Sequence, residues 1–231
     1  MTEGFDFEAE YGAQYDRLIR RIVPGYEDLF PQILALLWEA LPEEAHVLVV
    51  GAGSGSELLG FGPARPGWRF TGVEPSEQMA AIVSGRVRDA GLADRVGIHR
   101  GYVAQLPAER VFDAATLDLV LHFLPDDGAK QELLRSIAAR LRPGATFVLV
   151  DGHGELGTPA FARAMAWWMR YLRIRGMSDA DLATYRGEVD AGVRFVSERR
   201  LLELCGAAGF EDPVCFYRGM VFGGWAMRAE A

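Results

Sequence analysis

The spacing of apolar positions changes along the chain, and each change marks an element. Near the start, Leu18, Ile19 and Ile22 predict a short helix over 16–22, broken by Pro24-Gly25. Ile33, Leu34, Leu37 and Trp38 then recur at helical spacing, predicting a helix from 26 or 28 to 40 that stops at Leu41-Pro42. There the rhythm switches. His46-Val47-Leu48-Val49-Val50 is a short apolar run of the kind a central parallel strand shows when both its faces are covered. A second strand is expected over 68–73, a third over 95–100, a fourth over 112–120 and a fifth over 145–150. Helices fall between them. Ser76 can cap one that buries Met79, Ile82, Val83 and Val87. Asp126 or Asp127 can cap another with Leu133, Leu134, Ile137 and Leu141 on one side, which Arg142-Pro143-Gly144 would end.

After the fifth strand the alternation is interrupted. A long aromatic helix over 158–175 and another from 178 to about 188 read as an insertion, spanning 155–190, over the top of the sheet. The order resumes with a helix over 197–208, and two strand-like runs, 214–217 and 221–227, close the chain. Repeated strand–helix units predict an α/β protein, a mostly parallel sheet with helices on both faces. The N-terminal helices, 1–42, read as a lid on one domain that spans 1–231.

Composition narrows the options. The chain has 231 residues, 50% of them hydrophobic, enough for one sizeable core and short for two full domains. No N-terminal basic segment leads into an apolar run, and no apolar stretch reaches the ~20 residues of a membrane span, so no membrane partner and a cytoplasmic location are expected. Two cysteines, Cys205 and Cys215, make no disulfide framework, and the four histidines show no metal-ligand spacing. A net charge of −8 argues against binding long nucleic acid. Arg163, Arg170, Arg173 and Arg175 break the acidic trend and read as a solvated helix face, with an anionic-substrate site as the alternative.

The chemistry begins at Val49-Val50-Gly51-Ala52-Gly53-Ser54-Gly55, where a strand runs into a glycine-rich turn. Glycines there let the backbone turn tightly and approach a ligand where a Cβ would collide. Ser56 stands where a dinucleotide-binding G-x-G-x-x-G needs its third glycine, which disfavours a nicotinamide dehydrogenase. Glu74 ends the second apolar run about 20 residues beyond the loop, where an acid can bond both ribose hydroxyls. Its competing reading is a capping carboxylate beside Pro75 and Ser76.

Four blocks in order, V-L-V-V-G-A-G-S-G, T-G-V-E-P-S-E-Q-M, F-D-A-A-T-L-D-L-V-L-H-F-L and L-R-P-G-A-T-F-V-L-V-D, resemble class I S-adenosylmethionine (SAM)-dependent methyltransferases over about 45–151. That resemblance implies a Rossmann-like fold with a seven-stranded sheet, SAM as cofactor and a small-molecule substrate. Arg21-Ile22-Val23-Pro24-Gly25-Tyr26 and the closing Met220-Val221-Phe222-Gly223 are similar to elements of the carboxy-SAM synthase family, which serves tRNA wobble-uridine modification. Carried over by position, Tyr26 would reach the cofactor from the lid. Gly51, Ala52 and Gly53, with Gly55 in the same loop, would hold its methionine part, and Glu74-Pro75 the ribose. Tyr102-Val103 would border adenine, and Asp118 would stand beside the cofactor at the end of the fourth strand.

Three departures follow from the same likeness. Val49 occupies the place of the usual acid before the first glycine, so the cofactor's amino group must be contacted otherwise. Tyr102 replaces an Asp near the adenine amine, which points to stacking. Counting back from Ala208-Gly209-Phe210 without gaps, the synthase arginine that clamps an extra carboxylate falls on Leu204, with Arg199 and Arg200 a turn earlier. The expected activity is therefore methyl transfer to a small molecule, with carboxy-SAM synthesis or a non-catalytic SAM-binding module as alternatives.

His153, in the loop after the fifth strand, and His122, just past the fourth, are the candidate bases. A satisfied structural histidine is the competing reading at His122. Tyr11, Tyr15, Trp167, Trp168 and Tyr171 are candidate lid aromatics, or else core or a homodimer interface.

Overall fold

The computed structural model describes residues 11–230, with only the backbone described over 11–15, so the side chains of Tyr11 and Tyr15 lie outside the described residues. Seven strands form one sheet in the order β3-β2-β1-β4-β5-β7-β6. They are β1 (Ala45–Val50), β2 (Trp68–Glu74), β3 (Val96–Arg100), β4 (Phe112–Asp118), β5 (Leu141–Gly152), β6 (Phe210–Gly219) and β7 (Phe222–Ala229). The first five pair in parallel, and β7 runs antiparallel to both β5 and β6. The sheet is thus mostly parallel, with an antiparallel closing pair.

Alternation along the strands sends side chains to two cores. Val47 and Val49 of β1 and Val148 and Val150 of β5 face one core, which includes helices α1 (Tyr11–Ile22), α2 (Tyr26–Ala40), α3 (Ser56–Ala64) and α4 (Glu77–Asp89). Leu48, Phe147 and Leu149 face the other, beneath α5 (Ala129–Ala138) and α8 (Glu198–Gly206). The inserted pair, α6 (Pro159–Ile174) and α7 (Asp179–Gly192), joins the first core, where Trp168 is buried and its indole N–H donates to the Ile22 carbonyl at 2.8 Å. Ser76, Thr158, Ser178 and Ser197 each accept a backbone N–H as N-caps, at the positions where the expected helices begin.

Some boundaries moved. α5 is capped by Gly128 in a left-handed conformation (φ 114°), and Asp127 supports it from one residue further out by accepting the Ala129 N–H at 3.2 Å. Leu141 is the first residue of β5, paired with Phe112, and the helix is over by Ala138. The fourth strand ends at Asp118, because Leu119 turns left-handed (φ 59°) and takes the chain out of the sheet. β6 and β7 are both longer than their apolar runs, with register shifts at Glu211/Val214 and Cys215/Tyr217.

No helix among the described residues is long and apolar enough to cross a membrane. Of the basic cluster on α6, Arg163, Arg170, Arg173 and Arg175 are all exposed, and Arg173 pairs with Asp179. That is a solvated face.

Candidate cofactor and active site

The strand order reverses between β1 and β4, and a parallel sheet opens a crevice at the carboxyl ends of two such strands. The glycine loop leaves β1 at this point. Gly51 and Gly53 adopt φ values of 72° and 53°, where side-chain-bearing residues are strained. A Cβ on Gly51 would also collide with the Val120 side chain. The loop is laid against β2, since the N–H groups of Gly51 and Ala52 both donate to the Val73 carbonyl, at 2.9 and 3.0 Å. Gly55 serves differently. It caps α3 with φ 91°, and a Cβ there would stand 2.8 Å from Val83, so it brings α3 against α4 and lines neither cavity described below.

A cavity of about 540 Å³ opens beside the loop, and its wall includes Gly51, Gly53, Glu74, Pro75, Tyr102 and Val103. Glu74 is buried, and its two carboxylate oxygens accept backbone N–H groups from Gly53 (2.8 Å) and Ser76 (2.9 Å). It is therefore both a turn-capping carboxylate and a wall of the cavity, and the two readings weighed for it coexist. Tyr102 is 66% exposed, with its ring available as a platform, while Val103 is buried beneath it. Gln105 fixes this corner by accepting the Tyr102 N–H at 2.7 Å.

A second, smaller cavity of about 40 Å³ adjoins the first at Gly51, Gly53, Asp118 and Leu119. Tyr26 and Ala52 line it, as does Glu57 from the first turn of α3. Glu57 was not singled out by the sequence. Glu57 is buried, its Oε1 has no hydrogen-bond partner, and neither oxygen of Asp118 has one. Burial pushes the Glu57 carboxyl up to about 7; the nearby Thr116 hydroxyl holds the rise down, though no direct bond to its Oγ1 forms. Burial, then the charges of Glu57 and Asp151, raise Asp118 well above the usual carboxylate range, against a smaller opposing effect of the Val150 backbone N–H. Burial likewise raises the Tyr26 phenol. No lysine or arginine is among the described residues lining either cavity.

Neither histidine lines these cavities. Nδ1 of His122 is bonded to Asp151, beneath α5 and α8, where Lys130 donates to the Leu121 carbonyl at 2.7 Å. His122 and its acid thus tie the turn after β4 to the end of β5. His153 rests on the Trp225 ring (centroids 5.4 Å apart) and donates its backbone N–H to Val221; burial lowers its imidazole. The N-terminal helix reaches the loop through Asp16, which accepts from the Ser54 hydroxyl and pairs with Arg86 at 2.6 Å. Leu204 is buried in α8, whereas Arg199 and Arg200 point outward, their side chains 85% and 45% exposed. Arg200 is held by both oxygens of Asp126, at 2.9 and 3.0 Å.

The residues present fit SAM. A glycine cradle lies beside a fixed acid for a ribose, and unpaired buried carboxylates stand where a cationic end would lie. Comparison with known proteins agrees. The family described as "Methyltransferase domain" matches residues 18–213. The chain is 23% identical over 218 residues to a carboxy-SAM synthase of Campylobacter fetus subsp. fetus, covering 94% of this chain and 92% of that one. An O-methyltransferase family 2 protein of Planctomyces limnophilus, solved in complex with apigenin, is similar in fold (TM-score 0.65, 17% identity, 98% of this chain and 63% of that one). So is a SAM-dependent methyltransferase of Methanosarcina mazei (TM-score 0.60, 18% identity, 84% and 97%). The chain belongs to the methyltransferase-domain family and is a SAM-dependent methyltransferase.

Proposed function

We propose that the protein transfers the SAM methyl group to a small-molecule acceptor, and that it does so chiefly by positioning. Glu74 and Tyr102 would hold the adenosine half of the cofactor in the larger cavity, and Tyr26 and Asp118 would border its methionine half at the smaller one. When bound, SAM supplies a methyl group on a sulfonium, open to in-line attack. The residues of this chain hold the partners in line and keep water away, which by itself is worth many powers of ten. Among the described residues no histidine stands in either cavity wall, so an acceptor that carries a proton loses it to solvent or to a carboxylate of the wall. The described part of the N-terminal segment, 11–42, and the insertion 155–190 form the lid; the bond from Trp168 to Ile22, which joins them, supports that reading. The apigenin complex of the Planctomyces protein supports a small-molecule acceptor.

The second reading, carboxy-SAM synthesis, is favoured by the full-length likeness to the Campylobacter synthase. One observation weighs against it. A carboxylate added beside the sulfonium would face Glu57 and Asp118 with no lysine or arginine in the cavity wall to pair with it.

One experiment separates the two. With methyl-labelled SAM and a panel of small hydroxyl- and amine-bearing compounds, label should appear in a small-molecule product. With SAM and prephenate, mass spectrometry should find no carboxy-SAM. Accumulation of carboxy-SAM would reverse the order of the two readings.

A further inference from the structure

The smaller cavity presents an electrostatic problem that the fold does not solve by itself. Thr116 and Asp118, two residues apart on β4, point to the same side of the sheet, toward Tyr26 and Glu57. Two buried carboxylates thus share one small space and act on each other. Their surroundings make matters worse. Asp16 on α1 adds negative charge near Tyr26, and Asp151 on β5 adds it near Asp118. Two cations of the surrounding helices, Lys130 on α5 and Arg86 on α4, are engaged elsewhere, with the Leu121 carbonyl and with Asp16. Among the described residues, no donor lies within hydrogen-bond distance of Glu57 Oε1 or of either Asp118 oxygen, and the Val150 backbone N–H only partly offsets the rise at Asp118. Buried acceptors left in that state are costly, and two such charges together more so.

We propose that Glu57 and Asp118 form the seat for the cationic end of the cofactor, its α-ammonium and sulfonium, and that the arriving cation displaces a proton the two carboxylates otherwise hold between them. The inference rests on the reading of SAM as cofactor and adds the residues that replace the acid missing at Val49. Its chemistry balances simply. A carboxylic acid of the pair gives its proton to solvent, and the resulting carboxylate forms a charge-assisted bond to the ligand. S-adenosylhomocysteine keeps the ammonium but lacks the sulfonium, so it compensates the pair less. The site therefore prefers SAM to its demethylated product, and the preference grows as pH rises. Release of the product is favoured by the same pair, which takes its proton back once the sulfonium charge is gone.

The test is calorimetry on the full chain in phosphate and in Tris at pH 7, which reads protons exchanged on binding from the buffer dependence of the heat. SAM should release on the order of half a proton to one proton, and S-adenosylhomocysteine less. From pH 5.5 to 7.5, SAM affinity should rise roughly tenfold, with a smaller rise for the product. Glu57→Gln should abolish most of the proton release and flatten the pH profile, and Asp118→Asn should do the same if the first variant folds poorly. Buffer-independent heats for SAM, or a SAM-to-product affinity ratio constant across this range, would overturn the inference while leaving the methyltransferase reading intact. Failure of both ligands to bind at every pH would take down both.

Discussion

Four acids with buried carboxylates lie in or near one crevice, and they divide into two kinds. Glu74 has a backbone N–H on each oxygen, from Gly53 and Ser76, and Asp151 is bonded to His122. Glu57 and Asp118 carry buried oxygens with no donor at hydrogen-bond distance among the described residues. The first kind is complete before any ligand arrives: the charge is solvated by the protein, and the group is a fixed wall. The second kind is complementary to something that is not protein. A side chain's chemistry alone does not separate these roles; the donors supplied by its neighbours do.

Substitutions distinguish the two kinds of acid. The largest effect belongs to the loop that donates to Glu74. Gly53→Val should leave no detectable SAM binding by calorimetry, because its side chain would enter the space between the two cavities. The strain of a β-branched residue at φ 53° should lower the melting temperature by roughly 2–10 °C without unfolding the sheet. Retained binding would mean that the backbone does not approach the cofactor here.

Next comes the satisfied acid that stands apart from the cavities. Asp151→Asn should cost about 2–4 kcal/mol of stability in denaturant unfolding, because it disturbs a buried bonded pair. The pH profile of methyl transfer should keep its shape and move toward lower pH, because the Asp151 charge helps to raise Asp118. A loss of turnover at saturating SAM with little loss of stability would promote His122 to the role of base.

Glu74→Ala should weaken SAM binding by about 1.5–3 kcal/mol, the scale of charge-assisted bonds to a neutral partner. Normal binding would reduce Glu74 to a turn cap. For the unsatisfied kind the sign reverses. A carboxyl raised from 4.5 to about 7 in the folded protein contributes stability at low pH that is lost as pH climbs through that window. Glu57→Gln cannot ionise, so without ligand it should gain on the native chain by about 2 kcal/mol between pH 5 and 8. A constant gap would show that Glu57 does not titrate there. Arg199→Ala and Arg200→Ala, the first exposed and the second tied to Asp126 outside both cavities, should leave SAM binding unchanged.

Much of this was legible from the residues. The apolar runs located β1 to β5, and the hydroxyl residues at 76, 158, 178 and 197 marked the helix starts because each can accept an N–H that a helix leaves unmade. Leu141 misled, since it continues the helical spacing of Leu134 and Ile137 while belonging to the next strand. The additional length of β6 was hidden because an edge strand needs few apolar residues, and Glu211, Asp212 and Pro213 look like a turn. Glu57 escaped for another reason. An acid in the first turn of a helix is ordinary on a surface, and no periodicity reports that this turn is roofed by α2. The one hint was Val49: a missing acid implies a substitute somewhere.

The placement of β7 bears on how the chain is made. It follows β6 in sequence, yet it lies between β5 and β6. As the polypeptide emerges from a ribosome, β1 to β5 can assemble first, leaving β5 as an open edge. β6 is then synthesised with no neighbour to join. Until β7 arrives, the nascent chain exposes one unpaired edge and one solitary strand, both templates for intermolecular pairing. Codon choice and chaperone supply over the final segment should therefore govern the yield of folded protein more than the same variables anywhere in the first half.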